Sequence, residues 1–214
     1  MPLILVAAVV AVAGTWWAHR WLAGGRYRRP DEGGPLPRHD WLVAVVPFLV
    51  VALAGASQGE PLAAAAAVML LAPVGLTLVA VDADVHRLPN VITLPAVPGV
   101  LGLLTVAAAT SGRWTDLRRA ALAMLVVGGV FVVVSLVLGS RGIGMGDAKL
   151  MLGLAPLLGW HGWGAVLAGV YVAFLLGGLV ALTLLVTRRA DRSSHLAFGP
   201  YLVAGGVIAL LVGA

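Results

Sequence analysis

The stretch LAAAAAVMLLAPVGLTLVAVDADVHRLPN, residues 62–90, decides the fold. Its first 20 residues, Leu62 to Val81, carry no charge. At about 1.5 Å per residue, a helix of that length covers the roughly 30 Å hydrocarbon core of a bilayer. It ends on an acid, Asp82, followed by Asp84, His86 and Arg87 before Leu88-Pro89-Asn90 reopens an apolar run. A long apolar span, a polar joint and another span make up the grammar of the whole chain.

Working outward, apolar runs at about 3–18, 41–56, 62–81, 91–110, 120–139, 150–160, 164–186 and 196–214 read as helices. The composition agrees: 61% of the 214 residues are hydrophobic and 11% are charged. So few charges cannot solvate a water-facing globule, whereas a bilayer accepts an apolar exterior. The expected fold is therefore all-α, a polytopic transmembrane bundle of about eight helices forming one integral membrane domain over residues 1–214. The run at 150–160 is short for a crossing, which leaves seven crossings as the alternative. Met1-Pro2-Leu3 supplies no positive n-region, so the first run reads as a retained helix. Gly-Gly pairs at 128–129, 177–178 and 205–206 read as places where helices approach closely. There is no cysteine, hence no disulfide and no thiolate chemistry.

The net charge of +5 is concentrated in alternate joints. One set of joints, including the short basic loop 19–40, holds 11 of the 14 Lys and Arg residues; the opposite set holds Arg113, Arg118 and Arg119. The positive-inside asymmetry puts the richer set in the cytosol, beside anionic lipid, and gives no sign of a nucleic-acid partner. Arg118-Arg119 runs against that count. Asp82 and Asp147 then share the cytosolic boundary.

Acids at such a boundary are expensive and are functional candidates, although each could be merely the first solvated residue after a helix. Asp84 lies two residues from Asp82 and so cannot share its helix face; Asp84, His86 and Arg87 read as joint residues at the headgroups. Asp147 is preceded by Gly142-Ile143-Gly144-Met145-Gly146 and followed by Ala148-Lys149. Glycines at alternate positions permit positive φ and let another backbone come close, as a cradle for an extended peptide; a plain flexible joint would look similar. The five histidines (19, 39, 86, 161, 195) lie on different joints, so no metal centre and no cofactor is expected.

Three segments together resemble the type IV prepilin peptidases. Asp82 through Pro95 is similar to that family's first active-site segment, in which a helix-ending aspartate is followed by Leu-Pro and then Asp or Asn. Gly144-Met145-Gly146-Asp147-Ala148-Lys149 is similar to its GxGDxK segment, and Phe198-Gly199-Pro200 to the FGP stretch opening its last helix. The resemblance covers roughly 62–214. It implies a membrane aspartic endopeptidase of the bacterial cytoplasmic membrane with Asp82 and Asp147 catalytic. It also implies Gly144, Gly146, Lys149, Pro89 and Asn90 as site-shaping or substrate-binding residues. The implied substrates are prepilins or pseudopilins, cut after a short basic leader at the cytosolic face. The GxGD element also resembles that of presenilin-type enzymes, but the Leu-Pro-Asn and FGP segments favour the prepilin group. Longer family members carry a cysteine-rich insert after the first helix, and residues 19–40 lack it, which leaves methyl transfer unsupported.

Two close carboxylates sharing one proton can do general acid/base work on a peptide bond without a metal. The alternative is a proton- or cation-coupled transporter using the same aspartates, and a structural subunit of a secretion machine is a third possibility. Transport sites tend toward the bilayer midplane, whereas these acids share a boundary. Single cysteines introduced into loops 19–40, 82–90, 140–149 and 187–195 are expected to be labelled from the cytosolic side only. External labelling at position 87 or 141 would reverse the orientation.

Overall fold

The computed structural model describes residues 1–30, 32–138, 144–187 and 197–213. Among them there are eight helices and no strand: α1 (Pro2–Ala23), α2 (Leu42–Ala56), α3 (Leu62–Val85), α4 (Asn90–Ser111), α5 (Trp114–Leu138), α6 (Met145–His161), α7 (Trp163–Val186) and α8 (Gly199–Val212). Five of these, α1, α3, α4, α5 and α7, are long and apolar enough to cross a membrane, while α2 and α8 are shorter and apolar. The helix expected at 150–160 gains a turn and a half by beginning at Met145, inside the glycine-rich segment. Expectations for Arg141, Gly142, Arg188, Arg189, Arg192 and His195 fall outside the described residues.

The centre of the bundle is α3, whose buried side chains run from Ala64 to Asp82 on nearly all faces. A helix apolar all round belongs inside a bundle. It packs against α1, α2, α4 and α8, whereas α6 packs against α4, α5, α7 and α8. Helices α4 and α8 therefore both touch the two helices that carry Asp82 and Asp147.

Small residues make these approaches possible. A Cβ on Gly205 of α8 would sit 2.8 Å from the Ala173 nitrogen of α7, and one on Gly206 would sit 2.7 Å from Leu154 of α6. Gly177 meets Phe198 and Gly128 meets Leu152 in the same way, but Gly129 and Gly178 face open space. The three glycine pairs are thus packing devices, with one or both members at the contact. Gly128 closes a five-residue π-turn, Met124–Gly128, that packs against α6.

At the end away from Asp82, a polar cluster ties α5 and α6 together. Arg113 pairs with Glu60 at 2.6 Å and with Asp116, and the buried Trp160 indole donates to Glu60 at 2.9 Å. Arg119 pairs with Asp116 at 2.8 Å and donates to the carbonyls of Gly159, at 2.7 Å, and Trp160. It thereby caps the otherwise unpaired C-terminal carbonyls of α6. Arg119 is held by protein rather than by lipid phosphate, which accounts for its place against the charge asymmetry.

Gly205→Leu is expected to lower stability by about 1–3 kcal/mol or more through overpacking. Gly178→Leu should stay within about 0.5 kcal/mol of wild type. Thermal unfolding of the purified variants in detergent compares the two, and equal responses would contradict the packing described.

Candidate functional site

Helix α3 runs one turn past its apolar stretch and stops at His86, the one non-glycine residue with positive φ (49°) among the described residues. The His86 amide donates to the Asp82 carbonyl at 3.0 Å. Proline at position 89 disfavours helix at Leu88, and it serves as the N-cap of α4, so the joint between α3 and α4 is short and stiff. Asp82 is therefore in the last turn of a helix rather than beyond it. Asp147 is likewise the third residue of α6 rather than a residue preceding a helix. Asp84, expected in the joint, is also helical.

The two aspartates meet at Gly199, the first residue of α8. Its amide donates to Asp82 Oδ2 at 3.1 Å. A Cβ there would lie 2.8 Å from Asp82 Oδ2 and 3.6 Å from Asp147 Oδ1, so the two carboxylates flank one glycine and any side chain at 199 would collide with them. Both are buried, with 4% of Asp82 and 9% of Asp147 exposed. Asp147 lies in the first turn of α6 and Asp82 at the start of α8, so the positive ends of two helix dipoles face the pair. In the sequence Gly199 stands out only within the Phe198-Gly199-Pro200 stretch, and nothing in its local pattern announces a contact 117 residues away.

The other expected residues cluster around this pair. Neither Gly144 (φ −61°) nor Gly146, inside α6, uses the positive φ that glycine permits. Their smallness serves close approach instead. A Cβ on Gly146 would lie 3.1 Å from Leu88 Cβ and 3.3 Å from its nitrogen, and one on Gly144 would lie 3.2 Å from Asp147 Oδ2. Lys149 donates to Asn90 Oδ1 at 2.8 Å, joining the first turns of α6 and α4. The Pro89 carbonyl accepts from the Ile92 and Thr93 amides, both at 3.1 Å. An apolar cavity of about 150 Å³ between α3, α4 and α6 begins beside Thr93, Lys149 and Leu150.

The acids divide sharply in their partners. Among the described residues, Glu32, Asp40, Glu60, Asp84 and Asp116 each lie within ion-pair distance of a basic side chain, and Asp82 and Asp147 do not. Hydrogen bonds from Arg87 and then from the Arg29 amide hold the Glu32 carboxyl below the usual carboxylate range. That ion pair is therefore intact at neutral pH and is lost only as pH falls through the depressed value. Burial, then the hydrogen bond to Asp84, pushes the Tyr27 phenol up to about 12, so it remains a donor. Asp84 faces these loop residues while Asp82 faces Gly199, as their two-residue spacing requires. Among the described residues no group of three or more His, Asp or Glu is placed to hold a metal ion.

Residues 69–186 match the model of the type IV leader peptidase family. The chain is similar to the prepilin leader peptidase/N-methyltransferase of Pseudomonas aeruginosa, 36% identical over 150 residues, which are 69% of this chain and 50% of that protein. It is also similar to the proteins of that name from Aeromonas hydrophila, 33% identical over 153 residues (69% and 49%), and Burkholderia pseudomallei, 33% over 160 residues (72% and 48%). The chain spans about half the length of the curated relatives it matches. No solved structure matches it significantly. With a match over more than half of its length, and with Asp82, Asp147, Gly144 and Gly146 inside the matched residues, the chain belongs to the type IV leader peptidase family.

Proposed function

We propose that this chain is a membrane-embedded aspartic endopeptidase. It removes the short basic leader from prepilin-like or pseudopilin substrates at the cytosolic face of the bacterial cytoplasmic membrane. The observation that carries the reading is the convergence of two buried carboxylates, from different helices and without an ion-pair partner among the described residues, on one glycine, Gly199, whose amide donates to Asp82. Two such groups hold one proton between them. The ionised member takes a proton from water while the protonated member donates to the scissile carbonyl oxygen. Water oxygen bonds to the carbonyl carbon, the C–N bond breaks, and the new amine leaves with a proton returned from the pair. The proton count belongs to the pair, so neither aspartate is assigned one part.

The surroundings support a peptide substrate. The glycines at 144 and 199 keep side chains off the two carboxylates, so only backbone lies against them, and Gly146 lets the α3–α4 joint approach beside Asp147. An apolar cavity lined by α3, α4 and α6 has Lys149 in its wall, and a substrate continuing into the bilayer would run there. Both acids lie in terminal helix turns, at the bundle's end, which favours cleavage at the membrane boundary over transport through its middle. Methyl transfer is not included in the proposal.

Purified protein mixed with a synthetic prepilin bearing its leader tests this by whether a shorter product forms. Asp82→Asn and Asp147→Asn should each reduce cleavage by on the order of 10²–10⁴-fold or more while the protein inserts and accumulates normally. Cleavage should survive chelators and serine- or cysteine-directed inhibitors. Loss with a chelator and recovery with a divalent ion would overturn the two-carboxylate mechanism.

Gly146→Val should cripple turnover more than folding, because its methyls would push Leu88 and the α3–α4 joint away from α6. A shift of about 1 Å at the site costs on the order of a hundredfold in rate. Gly144→Val, crowding the Asp147 carboxylate, should behave alike, and alanine should be milder at both positions. Product formed per folded enzyme, followed beside thermal stability, decides it; wild-type turnover in Gly146→Val would leave the segment as a mere joint.

A further inference from the structure

Residues 24–30 and 32–41, between α1 and α2, do not hang free of the bundle. Arg28 grips Asp84 with two parallel bonds, Nε to Oδ2 at 2.8 Å and a terminal nitrogen to Oδ1 at 2.7 Å, and the Tyr27 hydroxyl adds a third at 2.8 Å. The same guanidinium donates to the Gly34 carbonyl at 3.0 Å and the Pro35 carbonyl at 3.3 Å, so it also folds its own loop. A second fork, Arg87 to Glu32 at 3.1 and 2.6 Å, holds the joint beyond α3, and Arg87 donates to the Tyr27 carbonyl at 2.8 Å. The side chains of Arg28 and Asp84 are only 13% and 11% exposed, which sets this pair apart from ordinary surface ion pairs.

The two grips lie on either side of His86, where the chain turns through positive φ. Asp84 is two residues from Asp82, so holding its carboxylate fixes the rotation of the last turn of α3. Arg87 precedes Leu88, whose nitrogen and Cβ lie against Gly146, one residue before Asp147. One loop therefore reaches both aspartates, through Arg28–Asp84 to Asp82 and through Glu32–Arg87–Leu88–Gly146 to Asp147.

We infer that this loop is a strap whose two ion pairs set the spacing of Asp82 and Asp147, making Tyr27, Arg28, Glu32, Asp84 and Arg87 positioning residues for the reaction. The inference rests on the proposed peptidase reading for its kinetic arm alone. None of the five touches the reacting atoms. Their effect is on how well the pair shares a proton and meets a carbonyl, which is a property of the transition state more than of substrate binding.

The test uses the full chain in detergent or vesicles, with Arg28→Gln, Asp84→Asn, their double variant, and the milder Glu32→Gln. Arg28→Gln and Asp84→Asn should each lower kcat on the order of 10–100-fold per folded enzyme, with KM within about twofold. The double variant should be no worse than the poorer single, since both remove one interaction. Glu32→Gln should show the same kcat-weighted loss at smaller size. Amide exchange at residues 83–90 and 145–149 should quicken in every variant, with no substrate present. Unchanged kcat, a loss carried by KM, or additive singles would overturn the strap, as would unchanged exchange. If the wild-type protein cuts no leader peptide, the peptidase reading fails and the exchange measurements alone decide the strap.

Discussion

A carboxylate taken out of water must find a cation, a hydrogen-bond donor or a proton, and in a membrane bundle few donors are spare. Asp82 and Asp147 meet that constraint with backbone. The amide that opens α8 reaches Asp82, and the first turn of α6 surrounds Asp147. Helix N-termini are built to receive negative charge, because their first amides lack intrahelical partners. For two N-termini to reach two carboxylates, the residues there must be small, and those at 144, 146 and 199 are glycine. The close packing of α7 on α8 through Gly205 then follows as support. A helix whose first residue must lie within hydrogen-bond reach of α3 has little freedom in where its remaining turns lie.

The same constraint explains where helices begin and end. Helix α3 continues past Val81 because Asp82 needs a rigid backbone to hold it, and the left-handed turn at His86 reverses the chain within a few residues. Helix α6 starts early because its first turn is part of the site. Its C-terminus is finished by Arg119, a side chain from another helix, together with the amide of Gly162, which donates back to Leu158.

Long apolar runs announce themselves, so the eight helices and their order were legible from residues 62–90 outward, whereas the central place of α3 was not. Both aspartates were legible too, because an acid closing an uncharged 20-residue run, or following Gly-x-Gly, breaks its local pattern. What escaped was anything needing two distant segments at once. The role of Gly199 depends on Asp82, 117 residues earlier, and the short distance from Gly146 to Leu88 cannot be read from either alone. Which of the two uses Gly144 and Gly146 serve, positive φ or close approach, stayed open for a related reason. Glycine spacing says that side chains are unwelcome, but not whether backbone conformation or a neighbour excludes them. Likewise, Arg28 and Arg87 counted in the sequence only as positive-inside charges. Their carboxylate partners, Asp84 and Glu32, lie 56 and 55 residues away.

The distribution of cations argues a further step. This protein has basic side chains to spare, with 14 Lys and Arg against nine Asp and Glu, and it commits them to carboxylates at both ends of the bundle. Arg28 is already within two residues of Asp82 along the chain it grips, and Lys149 is two residues from Asp147, yet the first bonds to Asp84 and the second to Asn90. A guanidinium turned onto Asp82 would form a tight ion pair, keep that carboxylate ionised, and separate its proton from its partner's. An acid/base pair needs the opposite: both groups close in proton affinity, and neither bound to a permanent charge. Holding the nearest cations on Asp84 and Asn90 strengthens the scaffold and keeps the two buried acids free of a basic partner among the described residues. The arrangement that stabilises the loop and the one that the proposed acid/base pair requires are thus a single arrangement of the same few side chains.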